Sequence, residues 1–171
     1  MSRVKYNFII LTCFLCSTLT TITTAGQEKK MRNEIYLEAL GNGGWGSLNY
    51  ERKLRKSQLY GLRIGAGLRG TYEVIQPTII TAFSYLIPLE QQNLFLETSP
   101  GLTIGFNSPY DDGSLTLNTV YLTDYILTFT LGFRKYTKGN WLYRFTLVPG
   151  FVMNNGSRFI FTGGISFGKR F

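Results

Sequence analysis

Histidine is missing from all 171 residues, and cysteine occurs only as Cys13 and Cys16. Without imidazole, Ser-His-Asp and Cys-His catalysis and His-ligated metal sites are excluded. Long apolar runs are lacking too. Beyond residue 25 nothing approaches about 18 continuous apolar residues, so no spanning helix is expected there. What the chain does have is 15% aromatics and 19 glycines, within 44% hydrophobic residues and a mean hydropathy of zero. A disordered chain would be poor in aromatics. Lys and Arg number 18 against 10 Asp and Glu, a formal charge of +8. One domain, able to enclose a core, is expected at this length.

The N-terminus begins with Arg3 and Lys5, continues with the apolar run Phe8 to Leu15, and becomes Ser/Thr-rich up to Thr23-Thr24-Ala25. This is the layout of a secretory signal peptide, too short for a membrane-spanning helix. Residues 1–25 are therefore expected to be a cleaved signal, and residues 26–171 the functional domain. Acylation of Cys13 or Cys16 is not expected, because Thr12 and Leu15 precede them rather than small residues. Cleavage removes both cysteines, so disulfides and thiolate chemistry leave with the signal.

The rest of the chain alternates. Trp141, Tyr143, Phe145 and Leu147 fall on one face, with Arg144 and Thr146 on the other. Tyr125, Leu127, Phe129, Leu131 and Phe133 alternate with Ile126, Thr128, Thr130, Gly132 and Arg134. Phe159, Phe161, Ile165, Phe167 and Phe171 share a face near the C-terminus. Period two means strands with one greasy side. Eight such segments run roughly over 34–41, 47–54, 59–69, 78–87, 94–106, 123–134, 141–152 and 159–171. Turn residues occupy the seams, including Gly41-Asn-Gly-Gly44 and Asn154-Asn-Gly-Ser157. Pro100 and Pro149 sit inside predicted strands, where bulges are expected.

Glycines segregate by face. Gly65, Gly67, Gly101, Gly105, Gly132, Gly150, Gly164 and Gly168 lie on polar faces, and only Gly163 on a greasy one. A narrow eight-stranded barrel needs small residues pointing inward. A soluble barrel of the calycin type would bury its greasy face and stud the other with charge. Here the polar faces are mostly Thr, Ser and Gly. Rings gather near strand ends, around Tyr36 and at Tyr50, Tyr125, Trp141, Phe151, Phe159 and Phe171, as in interfacial girdles. The expected fold is all-β: an eight-stranded antiparallel up-and-down transmembrane β-barrel behind a cleavable signal peptide.

The ending Ile165-Ser-Phe-Gly-Lys-Arg-Phe171 resembles the terminal strand of Gram-negative outer-membrane barrels. Glu34-Ile-Tyr-Leu-Glu-Ala-Leu-Gly-Asn-Gly-Gly44, followed by Ser47-Leu-Asn-Tyr-Glu-Arg52, is similar to the first hairpin of small members of that class. The resemblance implies location in the outer membrane. It also implies a signal for the barrel-assembly machinery carried by Phe167 and Phe171. It transfers no activity. Lipid A deacylases and palmitoyl transferases resemble the chain in architecture, but their machinery uses a His that is absent here.

With both termini periplasmic, turns near 53–58, 88–93 and 135–140 face the periplasm, and loops near 42–46, 70–77, 107–122 and 153–158 face outward. Arg52, Lys53, Arg55, Lys56, Arg134, Lys135, Lys138, Lys169 and Arg170 are then expected at the periplasmic rim. Inward charges are expected at Glu38, Glu51, Arg63, Glu97 and Arg144, with Asp124 near an end. In a narrow lumen they must pair, which makes a structural brace the expected role. No catalytic residue, cofactor or metal site is identified; Asp111-Asp112-Gly113 reads as a turn. The expected partners are outer-membrane lipid and the assembly machinery, not nucleic acid, for a monomer. A surface ligand, if the protein has one, is expected at external loop 107–122. The functional expectation is a non-enzymatic barrel with a structural or surface-interaction role. The alternatives are a minor porin-like pore or small-molecule-binding barrel and, second, a secreted soluble carrier.

Overall fold

Alternating side chains can satisfy two solvents only if the strands they sit on close on themselves, and they do. The computed structural model of the chain describes residues 31–54, 58–70, 75–107, 121–153 and 158–171. Eight strands follow in order: β1 (Asn33–Leu40), β2 (Gly46–Lys53), β3 (Tyr60–Gly70), β4 (Ile75–Pro88), β5 (Leu94–Asn107), β6 (Tyr121–Tyr136), β7 (Trp141–Val152) and β8 (Arg158–Arg170). Each pairs antiparallel with its neighbour in sequence, and β1 pairs with β8 to close the barrel. Closure leaves no sheet edge, the condition for strands to cross a bilayer.

The alternation resolves into an apolar exterior and a polar interior. Leu127, Phe129, Leu131, Phe133, Phe145, Leu147, Phe161 and Ile165 are exposed on the outside. Glu34, Asn49, Thr103, Thr130, Arg134 and Arg144 are buried inside. A soluble carrier needs the reverse arrangement. Rings collect at the end that carries the termini, where Trp141 stacks on Phe167 with centroids 5.0 Å apart and Tyr60 stacks on Tyr85 at 5.0 Å. Tyr36 departs from the expected girdle: it points into the lumen, 1% exposed, on the same face as Glu34 and Glu38.

Two further expectations are corrected. Neither Pro100 nor Pro149 creates a bulge. The register is the same on both sides of each proline, in β4–β5 from Ala82–Gly101 to Tyr85–Thr98 and in β6–β7 from Thr128–Gly150 to Leu131–Leu147. The ladder simply skips the pairs around the missing N–H. A register shift falls instead between Gly105 and Phe106. The second correction concerns the first outward connection. The loop near 42–46 is expected outside, but Gly41–Gly43 forms a 3-10 turn whose three residues are buried inside the barrel.

Strand length explains that turn. β1 and β2 have eight residues each, while β4 and β5 have 14 and β6 has 16. Spanning hydrocarbon takes about 9–11 residues, so the β1–β2 hairpin is too short to reach across it. Irregular backbone cannot face lipid at that depth. The chain therefore turns inward through Leu40 at φ 61°, Gly41 at φ 79° and Gly44 at φ 93°. A Cβ on Gly44 would lie 2.8 Å from the Arg69 backbone, so glycine is required there.

Candidate functional site, a charge-paired lumen

The lumen has two storeys. Nearer the termini, β1 and β2 contribute Glu34, Glu38, Glu51 and Lys53, β3 contributes Arg63, and β5, β6 and β7 contribute Glu97, Arg134 and Arg144; all eight are buried. Their charges cancel, four acidic against four basic. Arg134 is the hub: its Nη1 donates to Glu34 at 2.7 Å, its Nη2 to Glu51 at 2.8 Å and its Nε to Glu97 at 2.9 Å. Arg144 donates through Nε and Nη2 to the two Glu97 oxygens, at 2.7 and 2.8 Å, and through Nη1 to Glu38 at 2.8 Å.

Side chains of the adjoining strands complete the cluster. Lys53 and the Ser84 hydroxyl both donate to Glu51 Oε1 at 2.5 Å, and Tyr136 donates to Glu34 at 2.6 Å. Arg63 donates through Nη1 to the Tyr36 hydroxyl at 3.4 Å. Below them Tyr36, Tyr136 and Leu142 pack together with Phe95, and the Arg170 guanidinium lies 4.4 Å from the centre of the Tyr136 ring. This end is filled with protein.

Every charge expected to point inward does so, but the set was incomplete. Glu38, Glu51, Glu97 and Arg144 join the network, whereas Arg63 meets a tyrosine. Glu34, Lys53 and Arg134 were missed. Lys53 and Arg134, expected at the periplasmic rim, share a face with Glu51 and Gly132 respectively, and that parity is the signal the sequence holds. Asp124 stands apart, accepting from Gln76 Nε2 at 3.3 Å. Phe167 and Phe171 are exposed on the outer face of β8 and at its end.

The other storey is neutral and holds the inward turn. Thr162 donates to the Gly41 carbonyl at 3.3 Å, Thr103 to that of Asn42 at 3.2 Å and Thr78 to that of Gly43 at 3.3 Å. The Asn42 amide donates to Thr130 at 3.3 Å. Hydroxyls on four strands thus take up the turn's polar groups and hold it across the bore as a plug. Of the expected ligand loop 107–122, residues 108–120 lie outside the described residues, as do Arg55, Lys56 and residues 1–25, the expected signal. Among the described residues no cluster of His, Cys, Asp or Glu could hold a metal ion.

An apolar outer surface around a plugged, charge-compensated lumen defines a small transmembrane β-barrel of the outer-membrane type. No family profile matches the sequence, and comparison with curated proteins gives no match. Solved structures do match. The N-terminal β-barrel domain of Pseudomonas aeruginosa OprF aligns at a TM-score of 0.59 and 14% identity. Yersinia pestis outer membrane protein Ail, determined in a phospholipid bilayer nanodisc, aligns at 0.50 and 11%. Each alignment covers 83% of this chain and 100% of the other. At such identities the likeness is one of fold.

Proposed function

We propose that the protein is a monomeric, non-enzymatic barrel of the outer membrane, delivered with residues 1–25 as its signal and holding a closed lumen. Its role is structural or surface-interacting, with outer-membrane lipid and the barrel-assembly machinery as its partners. The observation that carries this reading is the bore: Arg134 and Arg144, fully buried, bind four carboxylates from opposite walls, and the Gly41–Gly43 turn lies across the space beyond. Opening a water path would break several charge-assisted bonds at once. Phe167 and Phe171 fit an assembly signal because they present rings to lipid at the last strand.

Membrane fractionation and heat-modifiable migration in detergent gels test the location. The protein is expected in the outer-membrane fraction with a folded band that shifts on boiling. A soluble, non-shifting protein overturns the reading. Planar bilayers test the closed bore, where wild-type protein is expected to give no steady conductance.

A further inference from the structure

The short β1–β2 hairpin leaves a notch in the barrel wall. β1 makes its last pair with β8 at Leu40–Gly164, yet β8 begins at Arg158, so residues 158–163 run past the top of β1. On the other side, Gly46 pairs with Leu68 while β3 continues to Gly70. Above the hairpin lies a cavity of about 360 Å³, within the ~300–1,000 Å³ of small-molecule sites. Its floor is Gly41–Asn42 and its inner wall includes Ile126, Val148 and Ile160. Leu40 and Trp45, exposed on the lipid-facing surface, form its outer lip.

Two polar atoms at this cavity point to a ligand. Thr128, 7% exposed, has its hydroxyl buried with no hydrogen-bond partner among the described residues, and the buried Nη1 of Arg69 also lacks one. A buried donor left unmatched is costly. Outside, a lipid-facing groove bordered by Leu37, Ala39, Leu48, Ala66 and Leu68 runs up to Trp45, which lines both spaces. Trp45 thus stands between the cavity and the lipid-facing groove, at the notch left by the short hairpin.

We propose that this cavity is a lateral binding site for a single acyl chain bearing an anionic headgroup, which enters from the bilayer. The chain packs on Ile126, Val148 and Ile160, and the headgroup accepts hydrogen bonds from Arg69 at the mouth. Apolar walls and the notch toward lipid select the chain; the unmatched Nη1 of Arg69 selects the charge. The inference rests on the membrane-barrel reading and is compatible with a closed bore, because the plug is the cavity's floor.

The test uses the full mature protein folded in detergent and a fluorescent polyene fatty acid as probe. Wild type is expected to bind it saturably. Val148→Trp, which fills the cavity, should weaken binding at least about tenfold. Arg69→Gln should weaken the fatty acid but spare the matching fatty alcohol. Phe145→Ala, on the lipid face, should bind like wild type. Equal binding by wild type and Val148→Trp, both with the folded gel band, overturns the proposal. Failure of wild type to give that band overturns the barrel reading instead. Mass spectrometry of protein extracted from membranes then separates the sources: a free fatty acid, or the chain of a resident lipid.

Discussion

The two storeys of one lumen solve the same problem with different chemistry. Toward the termini, the strands meet through ion pairs: Arg134 and Arg144 span the bore to reach Glu34, Glu38, Glu51 and Glu97. Beyond them, threonine hydroxyls hold a glycine-rich turn by neutral bonds of 3.2–3.3 Å. The charged storey is all-or-none, since removing one partner strands another charge in a dry space. The neutral storey tolerates the loss of single bonds, each worth about 1 kcal/mol. The difference predicts where the barrel is brittle and where it gives.

Arg134→Met gives the largest expected effect. It leaves Glu34, Glu51 and Glu97 short of their shared cation and should cost about 3–5 kcal/mol, read from the urea midpoint of vesicle-folded protein. A loss below about 1 kcal/mol would erase the contrast between the storeys. Next comes Gly43→Val. A Cβ there would meet Ser47 Cβ at 2.5 Å and Ile80 Cδ1 at 3.1 Å. The expected cost is about 1–3 kcal/mol, and the plug should loosen, so that conductance bursts become visible in planar bilayers. A silent bilayer with unchanged stability would mean that the turn moves freely. Smallest is Thr103→Val, which removes one donor to the Asn42 carbonyl and keeps the shape. About 1 kcal/mol should be lost, with the bore still shut.

Strand parity makes most of the fold legible in the sequence. The eight segments match within a few residues, because a one-residue slip would turn every ring of β6 or β7 inward. The same parity placed Glu38, Glu51, Glu97 and Arg144 correctly in the lumen. Lys53 and Arg134 obey the same parity but sit near strand ends, where basic residues usually meet water. In a barrel this narrow, a long side chain from the end reaches back into the bore. The inward turn was out of reach for another reason. Gly41-Asn-Gly-Gly44 reads locally as any hairpin tip; only the length of β1 and β2 against the bilayer makes it fold in. Pro100 and Pro149 each remove one ladder bond, and the flanking ladders are long enough to hold register across the gap.

The ion pairs also impose an order in time. Glu34 bonds to a residue 100 positions later in the chain, and Glu38 to one 106 positions later. While the first hairpin is being laid down, Lys53 is the lumen cation its three carboxylates can share. They stay beside water until β6 and β7 arrive and β8 docks on β1. Contacts of such long range are late and slow to form. The network therefore acts as a completion check: a half-built sheet holds an excess of acid over Lys53, and only the finished cylinder balances it.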